Sequence, residues 1–210
     1  FEMKNKKAGV LAIFMCVMLI TIGLSGCTQE QPQNGEKPEI KNPTTIVRYD
    51  IGDAKTLDPA DAYDTGSSEP IFQIYDTLVT YKGNDTLTFY PCLATEWSVS
   101  DDSLTWNFKL RQNVKFSNGN DFTAEDVKYS FDRVLIMDAP ETGVSWILSQ
   151  CMDTNSTTVI NDYEVQIKLT EPYGGFLALV PYTVAAIVDK DYLEEHGGVV
   201  AGEENEWMKL

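Results

Sequence analysis

Residues 93–133 read LATEWSVSDDSLTWNFKLRQNVKFSNGNDFTAEDVKYSFDR, and a change of hydrophobic period inside that stretch decides the fold. Over residues 104–111 the period is two. Leu104, Trp106, Phe108 and Leu110 fall on one face, and Thr105, Asn107, Lys109 and Arg111 on the other. Such alternation predicts a strand with one face against a core. Residues 114–116 carry it toward Asn118-Gly119, a dipeptide that accepts positive φ and predicts a turn. At Thr123 the period lengthens to that of a helix. Thr123-Ala124-Glu125-Asp126 puts a hydroxyl at the N-cap and a carboxylate three residues on. Val127, Phe131, Val134 and Leu135 follow as a buried stripe ending before Pro140. Glu125 and Asp126 lie at the positive end of the helix dipole, so local stabilisation accounts for both without catalysis.

The same two periods recur on either side. Residues 45–49 are β-branched and predict a first strand ending at Gly52. Residues 67–81 predict a helix, with Pro70 near its first turn and Ile71, Ile74, Tyr75 and Leu78 on one stripe. Residues 157–160 and 163–169 predict a hairpin turning at Asn161-Asp162, with Val165, Ile167 and Leu169 inward. Short helices are expected over 172–180 and 190–196, the second stopped at Gly197. Trp97 and Trp106 are assigned to the core. Strands and helices mixed along one chain, without an internal repeat, give an α/β (mixed α+β) class.

The chain carries 32 acidic against 16 basic residues, a net charge of −16. So acidic a surface excludes nucleic acid as a partner and favours a soluble monomer. At the N-terminus Lys4, Lys6 and Lys7 precede an apolar run over 9–23 and the small residues Leu24-Ser25-Gly26 before Cys27. This pattern predicts a secretory signal closing in a lipobox, with Cys27 as the expected lipid anchor to the outer face of the membrane; the alternative is an uncleaved anchor helix with a chance cysteine. Residues 1–26 are then the signal, the polar stretch 27–43 a flexible linker, and 44–210 the globular part. Of the remaining cysteines, Cys92 and Cys151 have two outcomes open, a disulfide or two buried free thiols. The single histidine, His196, suits a helix C-terminus, and no nucleophile and base pair or metal-ligand spacing surrounds it. Asp101, Asp102, Asp121 and Asp126 lack the loop pattern of a calcium site. The expectation is a protein without catalytic residues, metal or cofactor.

LATEW (93–97), SDDSLTWNFKLR (100–111), VKF (114–116), Asn118-Gly119 and FTAEDV (122–127), with Ser130, Phe131 and Arg133, form a long ordered pattern. It resembles the signature of the extracellular solute-binding proteins of family 5, the oligopeptide, dipeptide and nickel binding components of ABC transporters. Leu57-Asp58-Pro59 and Tyr75-Asp76-Thr77-Leu78 resemble the family's opening, and similarity extends more weakly over 172–197. The resemblance implies a periplasmic-binding-protein-like two-lobed clamp, of which residues 44–210 supply most of the first lobe with its small subdomain and not the second lobe. It implies a receptor that grips a small ligand and delivers it to an ABC permease and ATPase complex. Peptide is the first choice of ligand, with nickel chelates and oligosaccharides as alternatives. On the family pattern Tyr63, Asp64 and Thr65 fall in the cleft, where residues 62–67 run extended and offer main-chain groups to an added peptide strand. Ser145 and Trp146, after a break at Gly143, are a second candidate wall. The rival from another class is a surface-anchored structural or adhesion module.

Overall fold

A computed structural model describes residues 44–45, 52–138 and 143–209. The chain divides into two units, Phe1–Arg48 and Tyr49–Leu210, and the described helices and strands all belong to the second. The signal, Cys27, the linker and all but Thr45 of the strand predicted over 45–49 lie outside the described residues.

In chain order the elements are α1 (Thr65–Ile74), β1 (Val79–Lys82), β2 (Asp85–Pro91), β3 (Ala94–Val99), β4 (Thr105–Leu110), α2 (Ala124–Met137), α3 (Ser145–Leu148), β5 (Thr157–Asn161), β6 (Glu164–Lys168), α4 (Phe176–Leu179) and α5 (Lys190–Glu195). Two 3-10 turns, Thr183–Ala185 and Glu206–Met208, complete the described part. β1 and β2 form a hairpin, and β3, β4, β6 and β5 form an antiparallel sheet in that order.

The period-two stretch is the middle of the sheet. Phe108 stands opposite Trp97 on one side and Val165 on the other, and Trp106 opposite Val99 and Ile167. Because paired residues share a face, one register places Phe108, Val165 and Ile167 in the core, each wholly buried. The other face is polar: Lys109 Nζ donates to Glu96 at 2.8 Å across the strands. Trp97 and Trp106 pack against the core from partly exposed positions, and Trp106 lies 5.2 Å from Phe176 of α4, ring to ring. The turn before α2 forms as predicted, with the Phe116 N–H on the Asn120 carbonyl and Gly119 at φ 98°.

Helix α2 lies against β5 and β6 and buries Val127, Phe131 and Val134 in the main core. Its start is capped chiefly by Asp126, whose Oδ2 accepts the Thr123 N–H at 2.8 Å and the Thr123 hydroxyl at 3.1 Å. The shorter Asp side chain therefore fills the reciprocal half of the capping box.

The first helix departs from expectation. It runs Thr65–Ile74 rather than 67–81, because Asp64 already caps it and Tyr75 leaves it with extended backbone (φ −113°, ψ 152°). Pro70 consequently lies inside the helix. Val79 and Thr80 are β-branched and pair with Pro91 and Tyr90 of β2, and after an irregularity at Tyr81 the pairing resumes with Lys82 opposite Asp85 beside Gly83, at φ 57°. Leu78 and Val79 are wholly buried, whereas Ile74 is 57 % exposed, so the apparent helical stripe belonged to two elements. Gly66 is required by packing: a Cβ there would stand 2.8 Å from the carbonyl oxygen of Asp53. Cys92 and Cys151 are both free thiols, and burial pushes Cys151 up to about 11.

Candidate functional site

Asp58 begins the site. Its carboxylate is buried, and an uncompensated buried charge is costly, so it must be paired. Arg133 supplies the pair from α2, 75 residues away, through two parallel bonds, Nη1 to Oδ1 at 2.6 Å and Nη2 to Oδ2. The Asp58 Oδ1 also accepts the Ala60 N–H at 2.9 Å, and the Asp58 carbonyl accepts the Asp61 and Ala62 N–H groups. One guanidinium thus fixes a whole turn. Ala60 and Ala62 are buried by it, and the chain emerges at Tyr63, which is 57 % exposed.

The other end of this segment is tied by Asp64. Its Oδ1 accepts the Ser67 N–H at 2.9 Å and its Oδ2 the Ser67 hydroxyl at 2.7 Å, the N-cap of α1. Ser67 Oγ in turn accepts the Lys55 and Thr56 N–H groups, closing the frame over residues 55–67. Burial works against the Asp64 charge, but the bonds from Ser67 and the charge of Lys55 outweigh it and hold the carboxyl below its ordinary range. Extended backbone is therefore confined to the residues before Thr65. The main chain of 65–67, expected to offer itself to an added strand, is helical instead.

Trp146 reaches the same place by another route. Asp138 ends α2 in the left-handed region, φ 33° and ψ 44°, with its N–H on the Val134 carbonyl. Its Oδ1 accepts the hydroxyl of Ser145, the first residue of α3. Val144, Ile147 and Leu148 are buried around it, which leaves Trp146 pointing outward at 52 % exposure. The rings of Tyr63 and Trp146 meet edge to face, 5.6 Å apart at 72°.

Of the five residues singled out in the sequence, the structure brings Tyr63 and Trp146 into contact at the surface. Thr65 is exposed at the start of α1, while Asp64 and Ser145 are engaged in the hydrogen bonds that hold the pair. Cys27 lies outside the described residues. The Asp58–Arg133 pairing was not foreseen. Its signal was present, since Asp126, Ser130 and Arg133 recur at helical spacing as a polar stripe beside the apolar one. Ser130 Oγ accepts the Val188 N–H at 2.9 Å and Asp126 Oδ1 the Lys190 N–H at 3.0 Å, so the stripe holds a third segment too. Around the ion pair Tyr75 and Tyr129 are each pushed up to about 12, first by burial, then by the Asp58 charge at Tyr75 and that of Glu194 at Tyr129.

A cavity of about 430 Å³ lies elsewhere, lined by Tyr75, Leu93, Phe122, Ile187, Tyr192 and Trp207 among others and by none of the five residues. His196 sits beside it, its ring 4.3 Å from Trp207 and 4.4 Å from Tyr192, and its Nδ1 donates to the Tyr192 carbonyl at 2.7 Å. Among the described residues no group of His, Cys, Asp or Glu is arranged to hold a metal ion.

Comparison with known proteins points one way. Residues 88–205 match the model of "Bacterial extracellular solute-binding proteins, family 5 Middle". The chain is 31 % identical over 154 residues to the "Probable D,D-dipeptide-binding periplasmic protein DdpA" of Escherichia coli K12, covering 72 % of this chain and 29 % of that protein. It is 32 % identical over 142 residues to the "Glutathione-binding protein GsiB" of Salmonella typhimurium, covering 68 % of this chain and 27 % of the relative. Among solved structures it superposes with TM-score 0.60 and 31 % identity on the periplasmic binding protein DppA of Helicobacter pylori in complex with the peptide STSA, over 69 % of this chain and 31 % of that one. The chain therefore spans less than a third of the length of these relatives.

Proposed function

We propose, because the chain belongs to the bacterial extracellular solute-binding proteins of family 5, that it is the ligand-gripping first lobe of a peptide receptor for an ABC importer. The reading adds an anchor at Cys27 on the outer face of the membrane, and delivery of the ligand to a permease and its ATPase. It involves no catalytic step and no cofactor. Peptide is favoured because the relatives' names speak of a dipeptide, glutathione and the peptide STSA.

The observation that carries the proposal is the half-exposed Tyr63–Trp146 pair, standing on a frame held by the buried Asp58–Arg133 pair and by the hydrogen bonds of Asp64 and Asp138. Two large rings open to solvent supply apolar area for a ligand to cover, and their rigid support spares the ligand the entropy of ordering them. Extended main chain is limited to residues 62–64, where the Ala62 N–H is already held by the Asp58 carbonyl and the Asp64 carbonyl by the Ser68 N–H, so side-chain contact with the rings is expected to contribute more of the affinity than an added strand would.

Native mass spectrometry of the purified protein identifies any ligand it carries; a sugar in place of peptide overturns the peptide assignment. Replacing Tyr63 or Trp146 by Ala is expected to weaken peptide binding by about tenfold or more, each ring contributing over about 1.4 kcal/mol, with little change in melting temperature. Unchanged calorimetric affinity in both variants sinks the site.

A further inference from the structure

We infer that Arg133 and Asp138, one within α2 and one at its end, are positioning residues that set Tyr63 against Trp146 and so determine the shape of the ligand surface. The inference rests on the proposed function for its consequence in binding, but its geometry stands apart from any ligand. Tyr63 and Trp146 lie on segments 83 positions apart in sequence, and neither ring belongs to the main hydrophobic core. Each is instead wired to one helix. Arg133 grips Asp58 with both nitrogens of its fork, and the Asp58 carbonyl and carboxylate order residues 60–62 immediately before Tyr63. Asp138 accepts the Ser145 hydroxyl immediately before Trp146. The helix is itself fixed to the sheet through Val127, Phe131 and Val134, so it transmits one rigid reference to both rings.

A buried ion pair adds little stability over a well-packed apolar pair, but a bidentate fork allows few geometries. Lysine would keep the charge and lose the fork, so it separates positioning from simple neutralisation. On the Trp146 side Asn keeps the Oδ1 acceptor for Ser145, and Ala removes it.

The test uses the full chain labelled with 5-fluorotryptophan, with the Trp146 fluorine resonance assigned by Trp146→Phe. Tyr63→Leu defines the position of that resonance when the partner ring is gone. Arg133→Lys, Asp138→Ala and Ser145→Ala are each expected to move it toward the Tyr63→Leu position, and Asp138→Asn to leave it near wild type. Should Arg133→Lys fail to fold, the Asp138 and Ser145 variants decide the matter. Cooperatively folded variants whose Trp146 resonance stays at the wild-type position overturn the inference. The peptide Ser-Thr-Ser-Ala, titrated into the same samples, is expected to bind the displaced variants about tenfold or more weakly, without further loss when Tyr63→Leu is added. Displaced resonances in a protein that binds no peptide uphold the positioning and count against the peptide reading alone; binding with undisplaced resonances does the reverse.

Discussion

Arg133 and Asp58 are the most consequential residues of the described part, because neither charge can be buried without the other. Replacing Arg133 by Met leaves the Asp58 carboxylate in the interior without its partner, and is expected to cost about 3–5 kcal/mol in urea denaturation. A loss below about 1 kcal/mol shows that the turn at residues 58–62 does not need the guanidinium. Asp64 is coupled to pH. Its folded carboxyl is held below the ordinary value of 3.8, so its contribution is present above that value and lost as pH falls through the folded one. Asp64→Asn is therefore expected to flatten the fall of melting temperature as pH drops below about 4. A wild-type slope in the variant contradicts the assignment. Asp126 has the opposite sign. Burial raises it despite the bonds from Lys190 and Thr123, so its contribution is present at low pH and declines as pH rises through the folded value.

Among the elements, α2 is the piece to which the others are fastened. Its apolar stripe meets the sheet, while Asp126, Ser130 and Arg133 hold residues 190, 188 and 58. The cap shows the division of labour. Thr123→Ala removes one hydroxyl contact and is expected to cost about 1 kcal/mol. Asp126→Ala strips acceptors from the Thr123 and Lys190 N–H groups together, and is expected to cost more, about 2–3 kcal/mol by denaturant melting. Equal losses indicate that Lys190 finds another acceptor. The sheet depends on register instead, and its row Trp97, Phe108, Val165 and Val159 spans all four strands.

For the described part as a unit, the aromatic pair presents an open surface, since each ring is about half exposed. Clamp-type receptors gain most ligand burial when two lobes close. This 210-residue chain is accordingly expected to bind peptide with Kd weaker than about 1 µM by isothermal titration calorimetry, and submicromolar binding shows that the described surface suffices alone. Elements whose cause is local were legible in the order of residues. The strand around Phe108 follows from alternation, the turn at Gly119 from a residue that tolerates positive φ, and the start of α2 from its own cap. Tyr63 and Trp146 were also picked out there, through resemblance for the first and a chain break for the second. Local pattern misled at Ile74 and Leu78, where equal spacing joined the end of a helix to the approach of a strand. Folding alone revealed that Arg133 meets Asp58, that Asp138 meets Ser145, and that the two rings touch. These are contacts between residues brought together by packing on a common helix, and a buried charge or an exposed ring acquires its partner only when the chain has folded around it.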